Sequence, residues 1–151
     1  MSNADVLGRY GAAMMQTFGI PPRVLGKIGV STFLNAPKLW RRVFPWPQPE
    51  DHKYARGHAL VVSGPADATG AARLGARGAL RAGAGLVTVA SPFDAVHVNA
   101  MHLTAIMLRP FEGPEGLSGL LEDTRKNAVL AGPGGGAGEA MCRLVETILR
   151  S

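Results

Sequence analysis

An α/β fold, with a largely parallel sheet covered by helices on both faces, is what this sequence predicts, and the pattern that predicts it begins at His58. From there to the end of the chain, strand-like and helix-like segments alternate. The strand-like segments HALVVS, LVTVA, TAIML and NAVLA are apolar at nearly every position rather than at every second one, as strands buried on both faces are. Two of them run into loops that lead to helices, the arrangement from which α/β sheets are built.

Taken in order, Asp5–Phe18 reads as a helix weakened by Gly8 and Gly11. Arg23–Ile28 fits a short helix begun after Pro21 and Pro22, and Lys38–Phe44 fits another after Pro37. PWPQPED, Pro45 to Asp51, is extended because each proline fixes its own φ and restricts its predecessor. That run separates a leading segment, residues 1–51, from a domain over residues 52–151. The first strand is His58–Ser63, a loop occupies Gly64–Thr69, and an alanine-rich helix follows over Gly70–Ala82. Gly83 and Gly85 end it before the strand Leu86–Ala90. Pro92 opens a helical stretch to Met101, Thr104–Leu108 is the third strand, and Leu117–Lys126 a further helix. Asn127–Ala131 is the fourth strand, and Glu139–Arg150 the last helix.

Composition narrows the function classes. A chain of 151 residues suits one domain, and 20 Gly and 11 Pro without a G-x-y period exclude a collagen-like chain. No apolar run approaches the roughly 18 residues of a membrane span, and the N-terminus lacks a signal-peptide layout, so a cytoplasmic protein without a membrane partner is expected. Up to Gly57, eight Lys and Arg face three acids, which is the whole of the net charge of +5. These cations are scattered and accompany no nucleic-acid motif, so no nucleic-acid partner is expected. Cys142 lies in a helical stretch without clustered partners and reads as a buried, inert thiol.

Two loops stand where open α/β sheets bind ligands. Ser63–Arg73 brings Gly70 and Ala71 to a helix N-terminus, whose free N–H groups and dipole suit an anion; the small residues would equally serve close helix–sheet packing. The loop has no phosphate-loop signature. Ala131–Ala140 carries Gly132, Gly134, Gly135, Gly136 and Gly138, which let the backbone approach a phosphate or sugar. It is no Rossmann fingerprint, since Ala137 falls where the third glycine belongs. His52, His58, His97 and His102 have no metal-ligand spacing. Asp51 and His52 read as a turn, Ser63 and Ser91 have no base partner in sequence, and Asp67 and Asp94 read as helix caps.

The block HKYARGHALVVSGPADATGAARLGARGALRAGAGLVTVASP, His52 to Pro92, closely resembles the opening of the ADP-dependent NAD(P)H-hydrate dehydratases. Lys53 and Gly57, the Gly70–Ala71 pair, RAGAGLVTVA and the Gly132–Gly134 loop carry the resemblance. It extends over roughly Thr17 to Arg150, and TFLNAPKLW and PWPQPEDHKY are similar to the connection preceding this domain in fused bacterial forms. Gly135 departs from it, standing where the family usually has leucine in GPGLG.

The resemblance implies a ribokinase-like fold and the return of (6S)-NAD(P)H hydrate to NAD(P)H. ADP, or ATP, with Mg2+ phosphorylates the substrate hydroxyl, and elimination of phosphate restores the dihydronicotinamide. Gly70, Ala71, Gly132 and Gly134 then fall on the substrate side, facing a small-molecule dinucleotide. The family's histidine loop, nucleotide loop and G-x-G-D motif, whose Asp is the catalytic base, belong to its later half, and no G-x-G-D occurs here. The chain thus reads as the first half of a truncated domain, for which a homo-oligomer or a complementary C-terminal half are the expected partners, since an incomplete sheet would expose an edge strand able to pair with another chain. A non-catalytic nucleotide-binding or oligomerisation module and another ribokinase-like small-molecule kinase are the alternatives.

Overall fold

The structure, a computed structural model, describes Gly19, Pro21, residues 23–29 and residues 35–151. The helix expected over Asp5–Phe18 lies outside these residues. The chain forms two compact units, Met1–Trp46 and Pro47–Ser151.

The first unit contains α1, Arg23–Ile28, and α2, Pro37–Trp40. Helix α2 is shorter than the Lys38–Phe44 read from sequence. The Val43 N–H turns to the Trp40 carbonyl at 3.0 Å, an i to i+3 closure, and Pro45 biases Phe44 away from helix. Instead, Phe44 sits between two rings, 5.6 Å from Trp40 and 4.8 Å from Trp46.

The second unit holds a four-stranded parallel sheet. Its strands are β1 His58–Val62, β2 Leu86–Pro92, β3 Met107–Phe111 and β4 Ala128–Leu130, in the order β3-β2-β1-β4. The connecting helices are α3 Gly70–Ala82, α4 Val96–His102, α5 Gly113–Leu121 and α6 Glu139–Arg150. Alternation along β1 sends Val61 to one face and Leu60 and Val62 to the other. Val61 joins Val87, Val89, Ala72 and Ala76 of α3. Leu60 and Val62 join Ala90, Phe111 and Leu117, against which Leu144 and Ile148 of α6 pack. Both faces of β1 and β2 are therefore buried, which is why HALVV and LVTVA are apolar throughout.

Two elements differ from their sequence reading. The third strand is Met107–Phe111, not Thr104–Leu108. Pro110 argues against a central strand, but β3 is an edge, where half of the N–H groups point away from the ladder and a proline is tolerated. The helix read as Leu117–Lys126 starts earlier, with Pro114 in its first turn, and stops at Leu121. Asp123 ends it: its Oδ1 accepts the Arg125 N–H at 3.3 Å and the Arg125 Nε at 2.7 Å, and Lys126 Nζ reaches its Oδ2 at 3.1 Å. Such local bonding competes with helix.

Cys142 is exposed on α6, contrary to the buried thiol expected. Helix α6 turns Met141, Leu144 and Ile148 inward and leaves Cys142, Val145 and Leu149 on an outer stripe, with Leu149 80% exposed.

Candidate functional site

The site is set by where the chain changes direction in the sheet. From β1 it crosses to β2 on one side, whereas β4 pairs with β1 on the other. The loops leaving β1 and β4 at their carboxyl ends therefore lie side by side, flanking the crevice of a topological switch point.

Glycine allows these loops to touch. A Cβ on Gly64 would overlap the Gly134 carbonyl, and one on Gly134 would overlap the Ala68 carbonyl. Gly134 also has φ +76°, a left-handed conformation that side chains resist. Its missing side chain therefore serves loop-to-loop packing, whatever else the loop does. Gly132, at φ +119°, and Gly136, at φ +75°, have open space where a Cβ would stand. The Gly135 N–H closes the turn onto the Gly132 carbonyl at 2.9 Å.

On the other loop, the turn Ala66–Ala68 leads into α3 through Thr69, which is buried yet makes no side-chain cap to the helix. Gly70 and Ala71, both exposed, thus begin a 13-residue helix whose first N–H groups meet no capping side chain. A Cβ on Gly70 would come no closer than 3.9 Å to Arg73. The close packing weighed for this pair in the sequence falls instead on Ala72 and Ala76. Gly70, Ala71, Gly132 and Gly134 all lie in or at the ends of these two neighbouring loops.

A buried polar cluster fixes the base of the first loop. Asn99 of α4 is fully buried, and its Nδ2 donates to Ser63 Oγ at 3.1 Å and to Ser91 Oγ at 3.0 Å. The two serines cap β1 and β2 and donate to the Gly64 and Pro92 carbonyls, each at 3.1 Å. Asp94 does not cap a helix with its side chain; its Oδ2 accepts the Ala66 N–H at 3.2 Å, tying the turn to the end of β2. Sequence reading passed over Asn99. Its signal is the i, i+4 spacing of Ala95 and Asn99, which puts an amide on the buried face of α4.

The remaining candidates lie elsewhere. His58 is at the amino end of β1, buried, with Nε2 2.8 Å from Thr88 Oγ1. Burial lowers its pKa below 6.5, and the nearby Lys126 cation lowers it further. Asp51 and His52 make a turn, accepting the Gln48 N–H at 2.8 Å and the Ala55 N–H at 3.1 Å. Gly57 and Gly85, both in the resembling block, pack the entrance to the sheet: a Cβ on Gly85 would overlap the Lys53 carbonyl, and the Gly85 N–H donates to the Gly57 carbonyl. Among the described residues, no three His, Cys, Asp or Glu come together to hold a metal ion. No described helix is long and apolar enough to cross a membrane.

A parallel sheet with two glycine loops at its switch point places the chain in a fold class that solved structures also define. A ribokinase-like superfamily protein of Enterococcus faecalis superposes with a TM-score of 0.61 at 20% identity, over 77% of this chain and 40% of that one. An ADP/ATP-dependent NAD(P)H-hydrate dehydratase of Bacillus subtilis, co-crystallised with ATP and Mg2+, gives 0.61 at 24% identity, over 77% of this chain and 42% of that one. The fold is ribokinase-like. Residues 59–151 match the NAD(P)H-hydrate dehydratase family, and the chain belongs to that family. It is 35% identical to the bifunctional NAD(P)H-hydrate repair enzyme Nnr of Moorella thermoacetica, over 97% of this chain, and 32% identical to that of a Synechocystis strain, over 95%. The match covers 28% of the length of each of these relatives.

Proposed function

We propose that this chain is the dinucleotide-binding part of an enzyme that returns (6S)-NAD(P)H hydrate to NAD(P)H. The observation that carries the reading is the contact of Gly64 with Gly134, which joins two ligand loops at the switch point in a member of this family. Beside that contact, the uncapped N–H groups of Gly70 and Ala71 suit the pyrophosphate of a dinucleotide. Gly132 offers an unobstructed backbone for close approach, and Gly134 keeps the two loops in register.

In this reading ADP or ATP, with Mg2+, phosphorylates the substrate hydroxyl, and elimination of phosphate restores the dihydronicotinamide. No residue of this chain is assigned to the metal or to the catalytic base. Those tasks fall to a complementary C-terminal half. The proposed setting is cytoplasmic.

The test is calorimetric titration of the 151-residue chain with hydrated NADH, alongside an assay for ADP-dependent disappearance of the hydrate. Binding is expected, with turnover far below that of a full-length relative. Absence of binding would overturn the reading. Turnover equal to the full-length relative's would place the base among these residues.

A further inference from the structure

A cavity opens near the ends of β2 and β3, on the α5–α6 face of the sheet. It has a volume of about 460 Å³, within the roughly 300–1,000 Å³ of sites that take drug-sized ligands. Its walls include Pro92 and Phe93 at the end of β2, Phe111 at the end of β3, Pro114 of α5 and Leu144 of α6. Phe111 is 6% exposed, whereas Phe93 is 63% exposed, an aromatic ring held against water at the edge of an apolar hollow. A planar ring laid on Phe93 would remove both apolar faces from solvent.

Polar groups stand around this hollow: the carboxylates of Asp94 and Glu112 and the guanidinium of Arg143. The carboxylates can accept from ribose hydroxyls or an exocyclic amine and would repel a phosphate. Two residues of the cavity lining connect it to the two loops. Asp94 holds the Ala66 N–H of the first loop, and Ala140, in the cavity lining, lies in the first turn of α6, two residues after Gly138 of the second.

We infer that this cavity is a nucleoside subsite, taking the base and ribose of one arm of a dinucleotide whose phosphates lie toward the glycine loops. The inference rests on the dinucleotide reading above for its place in a larger ligand. The hollow's own shape and chemistry argue for the nucleoside. Adenosine and nicotinamide riboside share that chemistry, so the probes are AMP and nicotinamide mononucleotide, titrated separately into the isotope-labelled 151-residue chain and followed by amide NMR.

At least one of the two is expected to shift Phe93, Phe111, Gly113 and Leu144, and the one that does so names the arm. Phe93→Ala should weaken that nucleotide about fivefold, the loss of one stacking face, and Phe93→Tyr should keep it. Inorganic pyrophosphate should bind all three proteins alike. Because Phe93 is exposed, its replacement leaves the core intact. Shifts confined to other residues, no shifts with either nucleotide, or unchanged affinity in Phe93→Ala would overturn the subsite. Binding of hydrated NADH that Phe93→Ala leaves unchanged would sink the subsite alone. A nucleotide seated at Phe93 in a chain that ignores hydrated NADH would sustain the subsite and sink only the dehydratase reading.

Discussion

Asn99 donates to Ser63 at 3.1 Å inside the protein, joining α4 to the carboxyl end of β1 one residue before Gly64. The same amide reaches Ser91, so a single side chain holds the ends of two strands together beneath the loop that leaves β1. Replacing Asn99 by Ala removes both bonds and leaves buried hydroxyls with one partner fewer. The expected loss is about 1–3 kcal/mol of unfolding free energy, read as a lower urea midpoint at unchanged slope. A midpoint equal to that of the parent would mean that the serines' own bonds to Gly64 and Pro92 suffice.

Gly70 and Gly134 should respond oppositely to alanine. Gly134 is left-handed and faces the Ala68 carbonyl, so Gly134→Ala combines backbone strain with a collision. The cost should exceed the ~1 kcal/mol that an unfavourable φ alone carries. Gly70 starts a helix and has open space at its Cβ position, so Gly70→Ala should stabilise by about 0.4–1 kcal/mol. Thermal denaturation of the two variants decides it. A neutral Gly134→Ala would remove the loop-to-loop packing from the account.

His58 makes stability depend on pH. Its folded pKa lies below 6.5, first because it is buried and then because of Lys126, so the unfolded chain takes up a proton that the folded chain resists. Its contribution is present above 6.5 and is lost as pH falls from there through the folded value. Asp123, held down by hydrogen bonds from Arg125 and Lys126, acts in a lower window, losing its contribution as pH falls below 3.8. Unfolding free energy measured at closely spaced pH should fall on acidification through the first window, and His58→Gln should flatten that slope. An equally steep slope in the variant would assign it to another group.

Much of this molecule was legible in its residues. HALVVS and LVTVA declared strands buried on both faces because they are so buried, and the two glycine loops fall at the switch point because they follow β1 and β4. What escaped depends on partners distant in sequence. That β3 is an edge, and so admits Pro110, follows from sheet order rather than from MLRPF itself. That Gly134 is required by Ala68 depends on β4 pairing directly with β1, although β2 and β3 lie between them in sequence. Asn99 becomes structural only when α4 brings it to two serines, one of them 36 residues away.

Cys142 illustrates the same limit and can be checked chemically. Its helix is amphipathic, but the thiol lies on the stripe with Val145 and Leu149 rather than on the stripe packed into the core, so it meets solvent in the folded state. Thiol accessibility governs reaction with a disulfide reagent. The native chain is therefore expected to react with Ellman's reagent to one thiol per chain at a rate near that of the urea-unfolded chain. Protection by a factor of a hundred or more, on the order of what a core thiol exposed only by rare opening would have, would show that another surface covers this side of α6 in solution.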